Sequence, residues 1–85
     1  MTLNLVYFAW VRERIGRGAE TRDVPRTVES ARDLMAWLCE QDEGYRAAFA
    51  DPKCVRVAID QEHADHDQPI AGAREIAFFP PVTGG

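Results

Sequence analysis

The chain has 85 residues, 46% of them hydrophobic, with four Phe, two Trp and two Tyr, which suits one domain built around one modest core. Ten Lys and Arg against 14 Asp and Glu give a net charge of −4, which argues against a surface that holds nucleic acid through basic side chains. Apolar runs such as VYFAWV at 6–11 and IAFFPPV at 76–82 fall far short of the ~20 residues of a membrane helix, and no signal-peptide pattern stands at the N-terminus, so a cytoplasmic protein with neither a nucleic-acid nor a membrane partner is expected.

In chain order, TLNLVYFAW at 2–10 alternates Leu3, Leu5 and Tyr7 with Asn4, Val6 and Phe8, which predicts a strand buried on much of both faces and therefore central. Gly16 and Gly18 in VRERIGRGAE mark a loop after one helical turn at 11–15. ETRDV at 20–24 then returns as a second, antiparallel strand ending before Pro25. Thr27 is placed as the N-cap of the main helix, in which Val28, Ala31, Leu34, Met35 and Leu38 share one face. A short helical turn at 45–50 precedes the break at Asp51-Pro52. CVRVAID at 54–60 and REIAFF at 74–79 alternate again, with Val55, Val57 and Ile59 on one side of the first, and Ile76 and Phe78 on one side of the second. Strand, strand, helix, strand, loop, strand is the order of an α+β domain with one main helix packed across a small mixed sheet, the β-grasp or ubiquitin-like layout.

Inside that domain catalytic chemistry is sparse. GRG at 16–18 lacks the spacing of a phosphate-binding loop, and Ser30 with two histidines makes no triad. His63, Asp65, His66 and Asp67 in HADHD have the side chains of metal ligands, but a polar loop between strands accounts for them, and no metal site is expected. Cys39 and Cys54 form no CxxC pair and read as buried, reduced thiols.

The tail PPVTGG is more informative, and the chain divides into a domain at 1–79 and a tail at 80–85. Six residues reach roughly 20 Å. Pro80 and Pro81 fix φ and limit the entropy lost on ordering, while Gly84 and Gly85 let the backbone pass a narrow channel. The terminal carboxylate is ionised near neutrality and free to act as a nucleophile.

FAWVRERIG at 8–16 and EIAFFPPVTGG at 75–85 make the chain resemble the MoaD/ThiS sulfur carriers, among them the small subunits of molybdopterin synthase (molybdopterin-converting factor subunit 1). The resemblance implies a subunit that carries sulfur without being an enzyme by itself and binds no cofactor. A partner adenylating enzyme would spend ATP to form an acyl adenylate at Gly85, next to Gly84. A cysteine desulfurase or rhodanese-like donor would supply the sulfur that turns Gly85 into a thiocarboxylate. The large synthase subunit, in an expected heterotetramer, would use it to convert cyclic pyranopterin monophosphate during molybdenum cofactor synthesis. A carrier for the thiamine thiazole and a ubiquitin-like protein modifier share the fold and the diglycine. Alternation puts Phe79 on the face opposite Ile76 and Phe78, so Phe79 and Phe8 are the expected apolar anchors for a partner. Arg12 and Glu13 stand beside them as polar contacts, and Pro80, Pro81, Val82 and Thr83 as the stretch of tail the partner holds.

Overall fold

The computed structural model describes residues 1–81. Five strands and three helices follow one another as β1 (Thr2–Tyr7), α1 (Ala9–Ile15), β2 (Ala19–Asp23), α2 (Ala31–Cys39), α3 (Glu43–Ala48), a 3-10 turn at Pro52–Cys54, β3 (Arg56–Ile59), β4 (Glu62–Ala64) and β5 (Glu75–Phe79). The sheet order is β2-β1-β5-β3-β4. β1 and β5 run parallel and every other pair antiparallel, which is the mixed β-grasp sheet. β1 is interior, as expected, but β5 holds the centre. No helix among the described residues is long and apolar enough to cross a membrane.

Helices cover one face only. Leu3, Leu5 and Tyr7 of β1, Val57 of β3, and Ile76 and Phe78 of β5 meet Val11, Leu34, Leu38, Tyr45 and Phe49 in one buried cluster. Phe78 is its aromatic hub, with ring centroids 5.9 Å from Tyr7 and 5.0 Å from Phe49. The expectation that β1 is buried on both sides is half met: Asn4 and Phe8 on the other side are exposed, and Val6 is half-buried.

Several boundaries move for local reasons. β1 stops at Tyr7 because Ala9 adopts φ 52 and turns the chain, after which the Phe8 carbonyl accepts from the Val11 and Arg12 amides and α1 begins. Gly16, at φ 93, ends that helix by donating its N–H to the Arg12 carbonyl, a conformation that glycine adopts without a Cβ penalty. The cap of α2 is Ser30, whose hydroxyl accepts from the Asp33 amide at 3.2 Å. Thr27 misses that role because Val28 N–H is turned back to the Pro25 carbonyl. Two more amides at the start of α2, of Ala31 and Arg32, donate to the carbonyls of Gln68 and His66, so the β4–β5 connection closes the helix end. Of the two thiols, Cys39 is half-buried and Cys54 exposed, because the 3-10 turn carries Cys54 outside the sheet.

Edge strand β2 brings polar side chains inward. Glu20 and Arg22 are the register partners of Leu5 and Leu3 and so lie on the helix side. The Tyr7 hydroxyl donates to Glu20 Oε2 at 2.7 Å, the Tyr45 hydroxyl donates to the same oxygen, and Arg22 Nε and Arg17 Nη1 donate to Oε1 at 3.0 and 3.1 Å. Burial pushes the Glu20 carboxyl upward, but the hydrogen bonds from Tyr45, Tyr7 and Arg22 outweigh it and hold the group below its ordinary range. Inward charges of this kind keep an edge strand from pairing with another chain.

Candidate functional site: the open face of the sheet

The uncovered face is ordered in rows set by strand register. Thr21, Asn4 and Glu75 form a polar row across β2, β1 and β5. The next row runs Val6, Ala77, Ala58, His63 across β1, β5, β3 and β4. Beyond it, Phe79 pairs with Arg56, and Phe8 is held beside β5 by its amide, which donates to the Phe78 carbonyl at 3.1 Å. Two alanines between larger neighbours make a floor. The result is a shallow depression of about 580 Å³ with Val6, Phe8, Phe79 and His63 on its walls.

Phe8 is 50% exposed, the one large hydrophobic residue so exposed among those described. A single exposed aromatic is ordinary, but Phe8 adjoins Val6, Ala58, Ala77 and Phe79 in one depression, and a contiguous apolar patch is what marks an interaction surface. Phe79 is half-buried, its ring met edge-on by the His63 imidazole at 5.2 Å and 85°. Both expected anchors therefore stand on one face. Arg12 and Glu13 are exposed on α1, and neither lines the depression. The Arg12 side chain instead lies along the α1–β2 loop, where a Cβ at Gly18 would sit 3.1 Å from its Nε. Pro80 and Pro81 are half-buried directly after β5. Val82, Thr83, Gly84 and Gly85 lie outside the described residues.

His63, Asp65, His66 and Asp67 are dispersed over different partners. His66 Nε2 lies 2.8 Å from the Val55 carbonyl, Asp67 accepts from Arg32 Nε at 2.7 Å, and His63 turns to Phe79. Among the described residues no three side chains of ligand type gather around a common point.

Sequence reasoning missed His63, Ala58, Ala77 and Val6 as members of this face, and for His63 the cause is the β3–β4 hairpin. Its two turn residues, Asp60 and Gln61, have φ 49 and 71, the double left-handed turn that usually announces itself as Asn-Gly or Asp-Gly. Asp-Gln hides it. Asp60 secures the turn, since its Oδ1 accepts from the amides of Arg74 and Glu75 at 2.9 Å each, and those two bonds hold its carboxyl below the ordinary range.

Comparison with known proteins agrees with this architecture. The model of the ThiS family matches residues 5–85. Over 85 residues the chain is 39% identical to the molybdopterin synthase sulfur carrier subunit of Escherichia coli, covering 98% of this chain and 99% of that one. It is 37% identical to the subunit of the same name in Haemophilus influenzae, with the same coverage. The crystal structure of SAMP1 from Haloferax volcanii superposes with a TM-score of 0.71 over the whole of both chains at 23% identity, a likeness of fold. On the match across 5–85 and on two full-length relatives above one-third identity, the chain belongs to the ThiS family.

Proposed function

We propose that this protein is the sulfur-carrier subunit of a molybdopterin synthase and that its open sheet face docks the large subunit. The full-length likeness to two bacterial subunits of that name supports the reading. The observation that carries it in the geometry is where β5 leads. The central strand ends at Phe79, in the aromatic row of the open face, and runs straight into Pro80 and Pro81. A partner seated on Phe8 and Phe79 therefore receives the tail from the central strand of the sheet.

The chemistry follows from what a carboxylate lacks. Its oxygen is a poor leaving group, so the Gly85 carboxylate first attacks the α-phosphate of ATP on an adenylating enzyme, releasing pyrophosphate. A persulfide on a cysteine desulfurase or rhodanese-like protein then displaces AMP to give an acyl disulfide, and a second thiol attacks the donor's cysteine sulfur, forming a disulfide and releasing the thiocarboxylate. That group is anionic at neutral pH and nucleophilic in the way thiolates are. Delivered into the large subunit, its sulfur takes the place of an oxygen substituent on cyclic pyranopterin monophosphate, and water then hydrolyses the acyl–sulfur bond, leaving the sulfur on the pterin and returning Gly85 as a carboxylate. General acids and bases belong to the partners. We place the cycle in the cytoplasm, where Cys39 and Cys54 stay as the free thiols seen here.

Intact mass tests the reading. Incubated with ATP, the cognate adenylating enzyme and a sulfur source, the chain is expected to gain the mass of one sulfur-for-oxygen exchange, and a chain lacking Gly84 and Gly85 to gain nothing while unfolding at the same temperature. An unchanged mass with demonstrably active partner enzymes overturns it.

A further inference from the structure

His63 is the one imidazole on the open face, and its position ties it to whatever docks there. Ala58 pairs with both His63 and Ala77, and Ala77 with Val6, so the imidazole closes the same row whose alanines form the floor of the depression. Its ring meets Phe79 edge-on. A partner surface that reaches Ala58 and Phe79 must also cover His63.

We infer that His63 sets the pH range over which this face docks, being covered by the partner as a neutral imidazole. The inference rests on the docking role proposed above. Imidazole is the side chain that ordinarily changes charge between about pH 5 and 8, and moving its charged form from water against apolar surface is costly. Among the described residues, the other charged groups around it are Glu75 in the depression, Asp60 and Glu62 at the hairpin, and Asp65 and Arg56 on the flank toward β3. None of these is in the Val6–Ala77–Ala58 floor, so the charge state of that row changes only through His63. The sign follows by linkage. Where His63 is charged in the free chain, docking must release a proton, and the dissociation constant rises as pH falls, by at most about tenfold per pH unit for one proton. Where it is already neutral, binding is flat.

The test is titration of the chain with the molybdopterin synthase large subunit from the same organism between about pH 5 and 8, using wild type, His63→Leu, His63→Gln and Phe8→Ala. His63 is exposed on a three-residue edge strand, so its variants are expected to fold as wild type does, which thermal unfolding verifies. Titrating groups on the large subunit affect every variant alike and cancel in the comparison. Wild type is expected to lose affinity toward pH 5 relative to both His63 variants, with His63→Leu the tighter binder at the acid end. Equal pH slopes for wild type and His63→Leu overturn the role of His63 even where Phe8→Ala weakens binding. Undiminished binding by Phe8→Ala overturns the docking face itself, and the inference with it.

Discussion

Phe8 and Phe78 are both phenylalanines at the tail end of the sheet, and their contrast makes a sharp test of what each is for. Phe78 is fully buried at the aromatic hub, whereas Phe8 is 50% exposed. Complete burial of a Phe side chain contributes about 1.5–3 kcal/mol, so truncating the half-covered Phe8 to Ala should lower stability by about 1 kcal/mol, a fall of about 4–8 °C in the unfolding midpoint for a domain this small. Phe78→Ala opens a core cavity as well and should cost about 3–5 kcal/mol, a large share of the ~5–15 kcal/mol that holds any such domain folded. For docking the order reverses. A central aromatic anchor is worth at least about 2 kcal/mol, so Phe8→Ala should weaken binding to the large subunit about 30-fold or more. Calorimetric titration and thermal melts on the same samples measure both quantities. A Phe8→Ala variant that binds within about threefold of wild type, or one that unfolds as readily as Phe78→Ala, refutes the assignment of Phe8 to an interface.

Three further outcomes are expected. Ala9 holds φ 52, a left-handed conformation that costs a non-glycine residue about 1–2 kcal/mol, so Ala9→Gly should raise stability in urea by about 0.5–1 kcal/mol after the added freedom of the unfolded chain is deducted. Glu20→Gln removes a carboxylate that accepts from two tyrosines and two arginines, and should cost about 1.5–3 kcal/mol at neutral pH. Because the folded Glu20 carboxyl is held low, its contribution is complete above the ordinary glutamate value of about 4.3 and fades as pH falls through the lower folded value, so the gap between wild type and Glu20→Gln in urea should close in acid. Asp60→Ala removes the acceptor of the Arg74 and Glu75 amides, and hydrogen exchange at those two amides should quicken while Leu5 and Ile76 stay protected.

The parts of this fold that were legible in the sequence are those where one force acts alone. Leu3, Leu5 and Tyr7, Ile76 and Phe78, and the stripe Val28, Ala31, Leu34, Met35, Leu38 are all buried, because apolar periodicity reports directly on which side a core lies. Legibility ends where a distant partner decides. The amides of Ala31 and Arg32 that follow the Ser30 cap are taken by carbonyls 68 and 66, which arrive from the far side of the chain. β4 exists because Asp60, anchored by the amides of Arg74 and Glu75, holds a turn whose second position, Gln61, lacks the glycine that would announce it. Glu20 reads as an ordinary solvent-facing residue of a polar strand until two tyrosine hydroxyls from β1 and α3 are brought onto it. The candidate site divides the same way: Phe8 and Phe79 follow from alternation, while His63 required the hairpin.

The end of sheet pairing at Phe79 is itself a consequence of hydrogen bonding. β5 is paired on both sides, to β1 and to β3, and a continued strand beyond Phe79 would extend both ladders and pull the tail down onto the sheet. Pro80 and Pro81 have no N–H to give to either neighbour. On the β3 side the donors that a longer strand would need are already committed, since the amides of Cys54 and Val55 turn into the 3-10 segment and bond to the carbonyls of Asp51 and Pro52. On the β1 side the chain has left for α1, and the Phe8 carbonyl is taken by Val11 and Arg12. Pairing thus stops at the row that carries Phe8 and Phe79. On the docking role proposed above, a carrier needs pairing to stop there, because a tail zipped into its own sheet could not enter another protein.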